Sequence, residues 1–126
     1  MVNILLNVDL IGWVGFLSFN GIDKMKQKLQ DKIFKDFPKL FAQKDLDKTK
    51  TCMCWGIETP DRWYDVIYKL CETIQNHINW NNLKQIEFTQ VKEKFGSLRV
   101  YYNDKNQWID GAIALADTLV REEGIG

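Results

Sequence analysis

With 126 residues, 45% of them hydrophobic and 27% charged, the chain can bury one ordinary core and has no room for a second domain of similar size. Lys plus Arg and Asp plus Glu each number 17, so no overall field draws the protein to DNA, RNA or anionic lipid, and any such binding must come from a local patch. Three cysteines without the spacing of a secreted framework point to free thiols in a reducing cytoplasm, and five Trp point to a well-packed core, an adhesive face, or both.

The first 23 residues, "MVNILLNVDLIGWVGFLSFNGID", contain no Lys or Arg. They lack the cationic n-region and small-residue cleavage site of a signal peptide. Asn3, Asn7, Asp9, Ser18 and Asn20 interrupt the unbroken run of about 20 apolar residues that a membrane span needs, so no membrane partner is expected. Two readings stay open for residues 1–24: an extra strand or helix over the core, or a leader from an over-called start, with Met25 as the natural beginning. The expected organisation is then a single domain over 25–122 and a short tail over 123–126.

From Met25 to Phe37 the residues Met25, Leu29, Ile33, Phe34 and Phe37 recur at helical spacing, and Pro38 forces a stop. Lys26, Lys28, Lys32 and Lys35 form the outer face of this helix, continued by Lys39, Lys44, Lys48 and Lys50 in a polar loop. That face reads as a solvated surface first and as a phosphate-contacting patch second. Thr59, Pro60 and Asp61 then read as a helix start: hydroxyl cap, proline in the first turn, acid at the positive end of the dipole. Trp63, Ile67, Leu70, Cys71, Ile74 and Ile78 mark its buried stripe.

Beyond "NHINWNN" the period becomes alternating, with Ile86, Phe88 and Gln90 on one face and Glu87, Thr89 and Val91 on the other, followed by a turn at Gly96-Ser97 and a return strand "LRVYYN". Asp104 or Asn106 can cap a last helix whose inner face would be Trp108, Ile109, Ala112, Ile113, Ala116, Leu119 and Val120. The expected fold is a small α+β domain in the order α-α-β-β-α, with helices packed on a short antiparallel sheet.

Convergent catalytic groups are scarce. His77, the one histidine, falls at the end of a helix, and Cys71 falls on the buried stripe, where a thiol behaves as a small hydrophobe. Cys52 and Cys54, with Cys71 and His77, are weak zinc candidates, because Cys-x-Cys does not match the paired knuckles of structural zinc sites. Glu58, Asp61 and Asp65 cluster near a helix start, where the dipole already accounts for acids. No phosphate-binding glycine loop, nucleophile elbow or His-Glu-x-x-His pair occurs. The expectation is a non-enzyme with no cofactor.

The stretch "KEKFGSLRVYYN" reads as a hairpin in which Phe95 anchors the turn and Leu98, Val100 and Tyr102 face the core. Alternation leaves Arg99 and Tyr101, with Lys92 or Lys94 across the turn, as an open aromatic-basic patch.

The combination "FPKLF", "CMCWGIE…RWYDVIYKLC" and "VKEKFGSLRVYY", followed by a helix with spaced alanines, resembles a widespread group of small proteins of no established activity from bacteriophages, prophages and their hosts. The resemblance runs from about Met25 to Val120. Relatives usually read Glu-Cys-Gly-Asp-Gly-Trp where this chain has Glu58-Thr59-Pro60-Asp61-Arg62-Trp63, and many continue into a Cys-x-x-Cys tail absent here. The resemblance implies an accessory protein acting in the host cytoplasm that binds a host protein or small signalling molecule, including a component of antiviral defence. The surface expected to do so runs from Trp55, Gly56, Ile57 and Glu58 across Arg62 and Trp63 to Lys94, Arg99 and Tyr101. The alternative is a nucleic-acid-binding accessory factor using the lysine helix and the hairpin.

Overall fold

The computed structural model describes residues 24–125, with side chains through 122. The readings of the leader, an added strand or an early start, lie outside the described residues.

Helix α1 spans Gln27–Asp36 and ends one residue before Phe37, ahead of Pro38, which cannot continue it. Met25 precedes the helix and donates its N–H to Ile57 O at 3.1 Å. Leu40 and Phe41, in a stretch read as a polar loop, are fully buried. Phe41 packs edge-on against Phe34 and Phe88, with ring centroids 5.1 and 5.2 Å away. The Phe88 N–H bonds Leu40 O at 2.8 Å, so this segment is fastened to the sheet by backbone as well as by side chains.

A 3₁₀ turn, Met53–Trp55, leads into strand β1, Ile57–Glu58. A second, Asp61–Trp63, leads into helix α2, Tyr64–Trp80. Thr59 does not cap α2: its hydroxyl, fully buried, points 3.3 Å from Pro60 O. Asp61 is likewise diverted, because its carboxylate accepts the Lys26 N–H at 2.8 Å and so serves the start of α1. The buried stripe of α2 is as the spacing predicts, with Val66 added.

Strands β2, Phe88–Lys94, and β3, Ser97–Tyr102, form the antiparallel hairpin. β1 adds a third strand, parallel to β2 with Ile57 opposite Val91 and Glu58 opposite Lys92, giving the order β1-β2-β3. Two residues were too few to show a period. A register shift between Phe88 and Gln90 makes Thr89 the extra residue of a bulge, which turns Val91 onto the core face opposite Val100. This corrects the expected faces of Val91, which is buried, and of Gln90, which pairs with Tyr101 on the side away from the core.

Phe95 and Gly96 are the two turn residues, with φ of +55° and +77°, the positive pair that two-residue hairpin loops require. Phe95 is 89% exposed, so it anchors nothing. The turn is set by backbone geometry and by the Gly96 N–H, which donates to Glu93 Oε2 at 2.7 Å.

Helix α3 spans Gln107–Ile125, running through residues read as a tail. Asn106 caps it, its side-chain oxygen accepting the Ile109 N–H at 3.1 Å. Ile109, Ala116 and Val120 are buried and Ala112 and Ile113 partly so, whereas Trp108 and Leu119 of the expected inner face are exposed. The helix therefore buries a narrower stripe than its apolar content suggests. The whole is a small single-domain α+β fold: three helices lie on the apolar side of a three-stranded sheet, and among the described residues no helix covers the other face. Among the described residues no helix is long and apolar enough to cross a membrane.

Candidate functional site

Pairing in the sheet assembles most of the expected surface. Glu58 lies opposite Lys92, and Lys92 opposite Arg99, so the three form one row across β1, β2 and β3. Tyr101 and Gln90 make the next pair along the hairpin, and Lys94 closes its end opposite Ser97. These side chains alternate with the buried Val91, Leu98 and Val100, which directs them to the open face. Among the described residues no ion pair neutralises Glu58, Lys92, Lys94 or Arg99. Arg99 is steadied by one contact, Nε to Ser97 Oγ at 3.3 Å, and Ser97 is held in turn by Asp117 of α3 at 3.0 Å.

Trp55 is 49% exposed, and no residue of the sheet row lines the cleft it borders. It lines a polar cleft of about 220 Å³ with Lys24, Gln27, Asp31, Lys44 and Asp45. The following residue, Gly56, has φ +79°, and a Cβ there would come within 2.5 Å of Gln30 Oε1. Gln30 is itself almost fully buried: its Nε2 donates to Met25 O at 2.7 Å and its Oε1 accepts the Ile57 N–H at 2.8 Å. The floor of the cleft is thus a satisfied polar knot, and the chain can turn at Gly56 only because that residue has no side chain. Lys44 pairs with Asp45 at 2.9 Å and its ammonium lies 5.6 Å from the Phe34 ring centre.

Three members of the expected surface stand apart, the first being Ile57, which is fully buried. Arg62 is exposed, in the turn before α2, and no hydrogen bond joins it to the sheet row among the described residues. Trp63 is 2% exposed and cannot meet a partner. Its place in line with the buried stripe of α2 overrides its place beside Arg62 in the chain, and its Nε1 finds no acceptor among the described residues.

The metal candidates do not converge: among the described residues no three His, Cys, Asp or Glu side chains are grouped to hold an ion. Cys52 is exposed, Cys54 donates its thiol to Thr51 O at 3.4 Å, and Cys71 is buried, its thiol pushed far up by desolvation. His77 stacks on Trp108 at 3.6 Å with rings nearly parallel, and its Nδ1 lies 3.2 Å from the Asn81 amide.

Three supports of the site went unread in the sequence. Gln30 shares the inner face of α1 with Ile33 and Phe37, which is the one signal that it is buried. Asp36 with Tyr68, and Asp110 with Tyr102, form hydroxyl-to-carboxylate pairs that tie α1 to α2 and α3 to β3. The Tyr68 hydrogen bond, with Lys32 beside it, holds the Asp36 carboxyl below its ordinary value, and Asp36 pushes the Tyr68 phenol up to about 12. No protein-family model, curated protein or solved structure matches the chain.

Proposed function

We propose that this chain is a non-enzymatic accessory protein of the phage type that binds a host protein or a small signalling molecule in the host cytoplasm, in a role that counters host defence. The phage context is carried by the resemblance of its motifs alone. The binding reading has separate support in one observation: Trp55 is half exposed at the mouth of a polar cleft, and its backbone is held there by Gly56 and the Gln30 knot. A large aromatic presented on a fixed backbone loses little conformational entropy when a partner covers it. Glu58, Lys92 and Arg99, in no ion pair among the described residues, add a row with both signs of charge on the sheet, which suits a protein partner better than a polyanion.

The alternative, nucleic-acid binding, has its own support in Lys92, Lys94, Arg99 and Tyr101 on one open face. The lysine helix adds less than its composition suggests, since Lys26 and Lys32 are paired with Asp61 and Asp36 at 3.6 and 3.0 Å.

The test is a pull-down and phage-protection comparison of the wild type with Trp55→Ala and Arg99→Ala. A partner retained by the wild type and lost by both variants, with unchanged thermal melts, supports the proposal. Equal behaviour of the three proteins counts against this surface. Retention of oligonucleotides that falls steeply with salt selects the alternative, because each phosphate contact releases counterions.

A further inference from the structure

Trp80, the last residue of α2, is 80% exposed, and Trp108, in the first turn of α3, is 44% exposed. Both border one pocket of about 210 Å³ at this end of the helix pair. Two indoles left in water around a shared concavity mark a surface that gains by being covered.

The wall contributed by Trp108 is fixed. Its ring lies on His77 at 3.6 Å with 5° between the planes, so one of its faces is already taken. His77 is braced in turn by Asn81, whose Nδ2 donates to His77 O at 2.9 Å and lies 3.2 Å from His77 Nδ1. A carbonyl oxygen only accepts, so the Asn81 group there is the NH2, and Nδ1 is its second acceptor. The neutral imidazole then carries its proton on Nε2.

The rest of the lining selects the ligand. Lys69 and Glu72 are its only charged residues, and they pair with each other at 2.9 Å. Lys84 and Lys105, the cations that flank the two tryptophans in the chain, are paired as well, with Asp104 and Asp110 at 3.1 Å. A phosphate or an ammonium would have to break one of these pairs, which favours a neutral ligand. Thr73 adds a hydroxyl and Asn76 an amide, each able to donate and to accept. A flat heterocycle could not be sandwiched here, because His77 occupies Trp108, and with few polar atoms it would cover the hydroxyl and amide without pairing them. A pyranose has an apolar C–H face for an indole and a rim of hydroxyls that serve donors and acceptors alike.

We propose that this pocket binds a neutral saccharide, one pyranose ring lying against Trp80 while Thr73, Asn76 and the Lys69–Glu72 pair take its hydroxyls. None of these residues lines the cleft beside Trp55 or belongs to the sheet row, so the inference stands apart from the function proposed above.

The indole N–H signals of the full chain in proton–nitrogen NMR, assigned with Trp80→Phe and Trp108→Phe, test it. The probes are methyl glucoside, methyl galactoside, methyl mannoside and N-acetylglucosamine. At least one should shift the Trp80 and Trp108 signals saturably, with the millimolar Kd expected of so few atoms, and leave Trp55 and Trp63 unmoved. Trp80→Ala should abolish the shift at Trp108 with an unchanged thermal melt, and Asn76→Ala should weaken binding about tenfold. Should Trp80→Ala melt early, Asn76→Ala carries the comparison. Glucose 6-phosphate and glucosamine should bind no more tightly than the neutral sugars. Silence toward all the neutral sugars overturns the proposal, whether residues 1–23 cover the pocket or the pocket has no affinity. So does binding that survives Trp80→Ala and Asn76→Ala unchanged, or a clear preference for the phosphorylated sugar, the amino sugar or adenosine.

Discussion

The carboxylate of Asp117 accepts the backbone N–H of Leu98 at 2.9 Å, so a side chain of α3 stands where another strand would otherwise pair with the outer edge of β3. The same oxygen accepts the Ser97 hydroxyl, and Arg121 closes on the carboxylate at 2.7 Å. One aspartate thus occupies the exposed edge and fastens helix to sheet. Asp117→Ala leaves the Leu98 N–H and Ser97 without their acceptor and should cost about 1–3 kcal/mol in a urea or thermal melt. It should also raise the tendency to aggregate, read by light scattering.

A pH prediction follows from the same residue and its two counterparts. Burial alone would raise the Asp117 carboxyl, but Arg121, the Leu98 N–H and Ser97 outweigh it and hold it below its ordinary value. Asp110 is held down by the Tyr102 hydroxyl and then by Lys105, and Asp36 by Tyr68 and then Lys32. Carboxylates depressed in the folded state bind protons more readily once unfolded. Their contribution is therefore complete above the ordinary value of 3.8 and is lost as pH falls through the depressed values. Melting temperature should drop on acidification between about pH 5 and pH 2, and Asp117→Asn should flatten that limb.

At the hairpin turn, Phe95 holds φ +55° while its ring is in water. Asparagine tolerates this conformation far better than a bulky aromatic. Phe95→Asn should therefore stabilise the protein by about 0.5–1 kcal/mol, a gain in denaturation midpoint. Gly96→Val should do the opposite by about 1 kcal/mol or more, although nothing lies within 4 Å of the added Cβ, because the cost is in the backbone alone.

Two tryptophans eight residues apart should respond differently. Trp63→Ala empties a site in the centre of the core and should cost about 3–5 kcal/mol. Trp55→Ala should leave the melting temperature within a few degrees of the wild type and be felt in binding. If Trp55→Ala unfolds the domain, the residue belongs to the core and the proposed surface loses its centre.

Where periodicity was long and strong the sequence was legible, as the α2 stripe and the hairpin partners Leu98 and Val100 demonstrate. The errors have local causes. Thr89 inserts one residue into β2, and a period of two has no means of signalling its own interruption until Val91 is seen opposite Val100. Trp108 and Leu119 read as inward from the sequence because α3 carries more apolar residues than one core stripe can hold. At the candidate site, Lys92 and Arg99 meet across the legible hairpin, whereas Glu58 is far from both in the chain and joins them only through β1, a strand of two residues. Trp55 was recognisable as a loop tryptophan, whereas Trp63 had both a buried and an exposed reading and the helix decided between them.

The Gln30 amide closes a ring of three hydrogen bonds with Met25 and Ile57, standing in for a peptide unit between two short extended segments. Neither segment is long enough to persist by itself, so α1 and β1 can open only together, as one unit of local unfolding. The Ile57 amide should then exchange with solvent at the same rate as the amides of α1, although it belongs to the sheet. The cleft beside Trp55 would be dismantled in every such opening, so a ligand bound there should slow hydrogen exchange along the whole of α1.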